Sequence, residues 1–228
     1  MFRKALLLLI LSISGLGHTM SQELNGETKV LTSQNLQYRV DKPDGYEQNG
    51  PSVPLLLFLH GGDRSNTKHH PKKYAQKAKL NFPFMVVAPQ RSAGSWGTVD
   101  FDELLSEVLR EYNVDRNRIY ITGYSFGGYG TWSAITQYPD WFAAAAPIAG
   151  GGNEEKICQA KGMGVRAYHG TSDRVSPYSG SKKLIETLKG CDATAELISM
   201  EGEDHWVWPK VFSDQSFYDW LLKYSKDH

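Results

Sequence analysis

The sequence predicts an α/β fold: a mostly parallel central sheet with helices on both faces. Two observations predict it. Short apolar runs recur along the chain, and amphipathic stretches of helical period separate them. The runs are Val53–Leu59, Phe84–Ala88, Arg118–Thr122, Phe142–Ala149, Val165–Tyr168 and Glu196–Met200. Most are apolar on both faces, as parallel strands covered from two sides must be. Leu36–Val40 reads as a short strand before them, and Asp41–Pro54, rich in Pro, Gly, Asn and Asp, as a loop. Val99–Tyr112 places Val99, Leu104, Leu105, Val108 and Leu109 at helical spacing, with acidic residues at its start. Phe126–Tyr138 follows as the next helix. Pro177–Lys189 has Ser176 as its expected N-cap, Pro177 at the first helical position and Gly190 as its stop. Asp214–Tyr224 closes the chain. The stretch after the Phe142–Ala149 run is short and leaves no room for a large cap domain.

A chain of 228 residues fits one domain and can bury a substantial core. Lys+Arg and Asp+Glu balance at 25 each, so no excess charge draws it to nucleic acid. A small neutral or mildly polar substrate suits this balance better. At the N-terminus, Met1-Phe2-Arg3-Lys4 is basic, Ala5–Ile13 is apolar, and Ser14, Gly15 and Gly17 break the run. This reads as a signal peptide over residues 1–20, cleaved somewhere in Gly17–Gln22. A secreted or periplasmic location follows. The apolar run is shorter than the ~20 residues a spanning helix needs, so no stable membrane anchor is expected. Residues 21–35 are polar and expected to lack order, which leaves 36–228 as the folded domain. Cys158 and Cys191 each precede a predicted strand, and those strands are placed side by side. A disulfide between them is geometrically reasonable and would contribute ~3–4 kcal/mol in the chain-entropy reading. The alternative is a pair of buried thiols.

The strongest local pattern is Gly123-Tyr124-Ser125-Phe126-Gly127, with an apolar strand before it and a helix after it. G-x-S-x-G in that setting is a nucleophile elbow, and the α/β-hydrolase fold is the expectation. Small residues on either side of Ser125 let the chain double back on itself. A serine hydroxyl needs a base, and the base needs a third group to orient it. Asp173 follows the Val165–Tyr168 strand and His205 follows the Glu196–Met200 strand, so both fall at carboxyl ends of parallel strands. Asp204 is the rival acid, but neighbouring residues rarely aim at each other. His60 and His169 also stand at strand ends, each before a glycine, and are expected to shape turns. His69 and His70 are expected on a solvated surface. No HExxH-like or clustered Cys/His spacing suggests a metal, and the chemistry needs no cofactor. The oxyanion donors expected are the backbone N–H groups of Phe126 and of Gly62, with Gly61 or Asp63 as alternatives to Gly62. Trp96, Tyr129, Trp206 and Trp208 lie near these motifs and are candidates for contact with sugar or phenolic groups.

On Leu55–Gly62, Phe82–Gln90, Val114–Trp132, Phe142–Gly152, Tyr168–Pro177 and His205–Trp208, the chain resembles a family of small bacterial α/β-hydrolases. These relate to feruloyl and acetyl-xylan esterases, polyhydroxybutyrate-depolymerase-like proteins and the phospholipase/carboxylesterase group. The resemblance implies Ser125, Asp173 and His205 as the triad of a serine ester hydrolase, with an oligosaccharide or small-molecule ester as substrate. His205 and Trp208 match the family's His-x-x-Trp ending. Family members often carry a fuller glycine run where Asp63 follows Gly62 here. A peptidase of the prolyl-oligopeptidase type shares the fold and triad, though it usually carries a further domain. A catalytically inactive glycan-binding module is the reading from another class.

Overall fold

The structure, a computed structural model, describes residues 24 and 26–226. The expected signal segment, residues 1–20, lies outside the described residues. The strands are β1 (Glu27–Leu31), β2 (Leu36–Asp41), β3 (Val53–Leu59), β4 (Met85–Gln90), β5 (Val114–Tyr124), β6 (Ala144–Ile148), β7 (Gly164–Gly170) and β8 (Ala195–Met200). The α-helices are α1 (Pro71–Lys77), α2 (Phe101–Glu111), α3 (Phe126–Gln137), α4 (Tyr178–Gly190), α5 (Trp208–Phe212) and α6 (Gln215–Leu221). All the strands join one sheet in the order β1-β2-β4-β3-β5-β6-β7-β8. β1, β2 and β4 pair antiparallel; from β4 to β8 every pairing is parallel. This is the α/β-hydrolase architecture, and only short connections stand where a cap could be inserted after β6.

The two-sided burial read from the apolar runs is visible within single strands. On β3, Leu55, Leu57 and Leu59 face a core built with α2, α3 and α4, through residues such as Leu105, Ile135 and Leu188. Leu56 and Phe58 face the other core, with Ala75 of α1, Phe212 of α5 and Tyr218 of α6. Each strand residue is thus committed to one of two helical layers by the alternation of the pleat. α2 begins at its cap, where the Asp100 side chain accepts the Glu103 N–H at 3.1 Å.

Several boundaries differ from the sequence expectation. Residues 27–35 are ordered, not unstructured: Glu27–Leu31 is an edge strand and Thr32–Gln34 a 3-10 turn. Only Leu31 of that strand is buried. Its order comes from backbone pairing with β2 and from polar ties such as Tyr112 Oη donating to Glu27 at 2.7 Å, which leave no hydrophobic pattern. α4 starts one residue late, with Pro177 and not Ser176 at the N-cap, and Gly190 forms its last residue. Ser176 does not cap because both of its capping groups are engaged elsewhere: its Oγ faces Tyr129 Oη and its carbonyl faces His169 Nε2. The closing helix expected over Asp214–Tyr224 is α6, shortened to Gln215–Leu221 with Asp214 capping it through the Ser216 N–H, and the short α5 stands before it where no helix is expected. Cys158, in the 3-10 segment Glu154–Gly162, is paired with Cys191 at the end of α4, with Cα atoms 5.8 Å apart.

His70 is also placed differently from expectation. It is buried, its Nδ1 accepts the Lys72 N–H at the start of α1, and its Nε2 stands 3.3 Å from Asp41 Oδ2. Arg39 grips the same carboxylate with two N–H groups, at 2.6 and 3.0 Å. Burial by itself would raise the Asp41 pKa; the His70 and Arg39 contacts outweigh it and hold the carboxyl at about 2. A carboxyl depressed in the folded state stabilises the protein above its unfolded pKa and loses that contribution as pH falls. Asp41 should therefore contribute about 2 kcal/mol at neutral pH, lost as pH falls from about 4 towards 2. Urea unfolding across that window should show a steeper fall in stability for wild type than for Asp41→Asn.

Candidate active site

Ser125 sits between β5 and α3 with φ 54° and ψ −119°, a conformation that costs a residue bearing a Cβ roughly 1–3 kcal/mol. Its surroundings hold it there. The Ser125 N–H donates to the Ile148 carbonyl of β6 at 2.9 Å. A side chain at Gly127 would run into the Leu59 carbonyl oxygen of β3. The elbow is thus pinned to the strands on both sides of β5. The first N–H groups of α3, beginning with Phe126, have no acceptor within the helix and lie at its positive end.

His205 and Asp173 converge on Ser125 from the loops after β8 and β7. His205 Nε2 is 2.8 Å from Ser125 Oγ, and Nδ1 is 2.7 Å from Asp173 Oδ2. Because the carboxylate can only accept, Nδ1 carries the proton and Nε2 is left to accept from the serine hydroxyl. The Val175 and Ser176 N–H groups donate to Asp173 Oδ1, both at 2.8 Å. Burial pushes the Asp173 pKa up, but His205 and these two N–H groups outweigh it and hold it below the ordinary carboxylate value. The two loops are tied together directly: Ser172 N–H donates to the Glu203 carbonyl at 2.9 Å, and Thr171 N–H to the Met200 carbonyl at 3.1 Å. They pass so closely that a side chain at Gly170 would overlap the Asp204 carbonyl oxygen. Asp204 itself turns away, its carboxylate capping the Trp206 N–H at 2.9 Å.

The loop after β3 forms the other wall. Gly62 is exposed, with open space where a side chain would stand, whereas Gly61 lies against the Tyr124 ring. Asp63, the departure from an all-glycine run, is held by its side chain: Tyr124 Oη donates to Oδ1 at 2.7 Å, and His69 Nε2 lies 3.5 Å from Oδ2. Burial first, then the Asp63 contact, push the Tyr124 pKa well up, so its hydroxyl remains a donor. His60 does shape its turn. Nε2 accepts the Arg91 N–H at 3.0 Å, which leaves Nδ1 to donate to the Gly61 carbonyl at 2.8 Å.

The aromatic candidates divide. Trp96 and Trp208 are buried and are not available to a substrate. Trp96 packs against His60 and Gly130 and donates to the His60 carbonyl at 3.3 Å. Trp208 stacks on Tyr124 with ring centroids 4.2 Å apart. Tyr129 and Trp206 remain open, 43% and 61% exposed. Trp206 stands edge-on to His205 with centroids 5.7 Å apart, and Tyr129 Oη is 2.9 Å from Ser176 Oγ. Val175, two residues after Asp173, is a third exposed apolar side chain at 69%; nothing in its sequence context distinguishes it from a loop residue. His69 also departs from the solvated placement expected of it: it is half-buried, edge-on to Tyr124 and Trp208. Among the described residues, no group of three or more His, Cys, Asp or Glu side chains could hold a metal. Two clefts, of about 300 and 380 Å³, include no triad residue.

An elbow serine, a histidine and a carboxylate, carried by the loops after β5, β8 and β7, stand in the arrangement that serine hydrolysis on an α/β-hydrolase fold requires. Residues 87–154 match the prolyl oligopeptidase family. The chain is 31% identical over 147 residues to a bifunctional acetylxylan esterase/xylanase of Neocallimastix patriciarum, covering 61% of this chain and 22% of that protein. It is 25% identical over 201 residues to feruloyl esterase D of Neurospora crassa, covering 77% and 64%. The crystal structure of a thermostable esterase superposes with a TM-score of 0.73 at 29% identity, over 88% of this chain and 63% of that one. The chain thus resembles carbohydrate-esterase-type α/β-hydrolases, and it spans less than two thirds of each of these proteins.

The contact at Gly170 yields a stability prediction. Gly170→Ala forces the Asp173 and His205 loops apart against backbone, so it should destabilise the fold by ~1–3 kcal/mol. Thermal unfolding should show a lower Tm than wild type, whereas alanine at Gly62, which meets open space, should change it little.

Proposed function

We propose that this protein is a serine hydrolase that cleaves carboxylic esters, with carbohydrate or phenolic esters as its substrates. The observation that carries the reading is the hydrogen-bonded series Ser125–His205–Asp173 built on a strained elbow. Ser125 Oγ attacks the ester carbonyl carbon while His205 Nε2 takes its proton. Asp173 stabilises the resulting imidazolium. The negative oxygen of the tetrahedral intermediate is received by the Phe126 N–H and the Gly62 N–H. Collapse expels the alcohol, which takes its proton from His205. Water, activated by the same histidine, then releases the acid from Ser125. The exposed side chains of Tyr129, Val175 and Trp206 suit an aromatic or sugar face better than a deeply enclosed chain. The esterase relatives support the ester class. The basic and apolar N-terminal segment supports export to the periplasm or medium.

A second reading, a serine peptidase, is favoured by the family match over residues 87–154. A substrate panel separates the two. Acetyl, feruloyl and short-chain nitrophenyl esters should turn over faster than aminoacyl amides; the reverse order would favour the peptidase. A fluorophosphonate probe should label wild type and not Ser125→Ala, and the same substitution should lower kcat by at least ~10³-fold. Failure of wild type to label would remove the hydrolase reading altogether. Trp206→Ala should raise KM for feruloyl esters by roughly 5- to 10-fold, about 1 kcal/mol of stacking, and leave acetyl esters nearly unchanged.

A further inference from the structure

Asp173 is held by two histidines. Oδ2 lies 2.7 Å from His205 Nδ1 and 3.2 Å from His169 Nε2. Oδ1 is filled by the Val175 and Ser176 N–H groups. His169 is the penultimate residue of β7 and is wholly buried. The nearer acceptor of its Nε2 is the Ser176 carbonyl oxygen at 2.9 Å, so the single N–H is shared between that carbonyl and Asp173 Oδ2, with Asp173 the longer arm. Both neighbours of Nε2, a carboxylate and a carbonyl, can only accept, so Nε2 carries a proton. On the other side of the ring, Nδ1 lies 2.8 Å from Ser181 Oγ, whose single hydroxyl proton can go either to Nδ1 or to the Gly150 carbonyl 2.7 Å away. The Tyr178 ring covers His169 edge-on at 5.9 Å. The titratable or charged groups facing it are therefore Asp173, His205 behind Asp173, and Tyr178. Burial lowers its pKa and favours a neutral ring; with the proton on Nε2, the Ser181 O–H turns to Nδ1.

We propose that His169 is a positioning residue of the triad, its Nε2–H fixing the Asp173 carboxylate so that Oδ2 faces His205. The inference rests on the hydrolase reading. A carboxylate can rotate about its terminal bond, and His205 alone holds only one oxygen. His169 shares that oxygen from the other side, while Ser176 serves Oδ1 through its N–H and His169 through its carbonyl. Because Oδ2 is shared, part of its negative charge is directed away from His205. Removing the His169 donor leaves more of that charge on His205 and stabilises its imidazolium. A residue that only filled space would not have this effect.

The test compares His169→Phe, which keeps a ring and removes both ring nitrogens, with His169→Gln, whose amide can still donate to Asp173. With a nitrophenyl acetate substrate, the Phe variant should lose ~10- to 100-fold in kcat while KM stays within about twofold, as expected for a misaligned catalytic group. The acid limb of its kcat/KM profile should move up by ~0.5 pH unit. The Gln variant should recover most of kcat and return the limb towards wild type. A Phe variant with wild-type kcat and limb, or a Gln variant no better than Phe, would overturn the proposal. If the Phe variant does not fold, ¹⁵N-histidine NMR of wild type decides. His169 Nε2 should stay protonated from roughly pH 5 to 9, and an Nδ1–H tautomer would overturn the assignment. Wild type inactive on every ester would sink the hydrolase reading instead, and the NMR result would still stand on its own.

Discussion

The bend at Ser125 is the constraint from which the rest of the site follows. A serine at φ 54° is held against its own preference, and only the neighbouring strands can hold it. The Ile148 carbonyl takes the Ser125 N–H, and the Leu59 carbonyl lies where any side chain at position 127 would go. Those carbonyls belong to β6 and β3, the two strands that flank β5. The sheet order is therefore a requirement of the elbow as well as a result of hydrophobic burial. With β3 beside β5, the glycine loop after β3 reaches the same end of the sheet as Ser125. With β7 and β8 following β6, their loops reach it too.

The second requirement is electrostatic. Asp173 has a buried side chain, and an ionised carboxylate in such a place is costly unless its lone pairs are occupied. Four N–H groups surround it: two from its own turn and two from histidine rings. The turn Asp173–Ser176 supplies the local pair, so part of the stabilisation is built into the loop before His205 arrives. Asp41 at the other side of the sheet follows the same rule with different partners, Arg39 and His70, and there the outcome bears on stability and not on chemistry.

How far the sequence could be read depended on the kind of signal. β3 was legible to the residue, because it is apolar on both faces and ends in a His-Gly-Gly turn. Ser125, Asp173 and His205 were legible because each follows a strand in chain order, and the structure brings the three within hydrogen-bond reach. β1 was not legible: its order rests on backbone pairing and surface ties, and only one of its residues is buried. The aromatics near the motifs looked equivalent, yet Trp96 and Trp208 face inward and Tyr129 and Trp206 outward. Sequence proximity to a motif carries no information about which way a ring points.

By itself the sequence determined the alternation of strands and helices, the elbow, and the chain order of the candidate serine, acid and histidine, since these depend on local periodicity and on small residues at set positions. Only the tertiary structure decided what surrounds them. It placed His169 behind Asp173 and Tyr124 against Asp63, and it turned His69 and His70 inward. Each of these pairs residues far apart in the chain or on different faces of a turn. Their geometry depends on packing between elements, which no local pattern records.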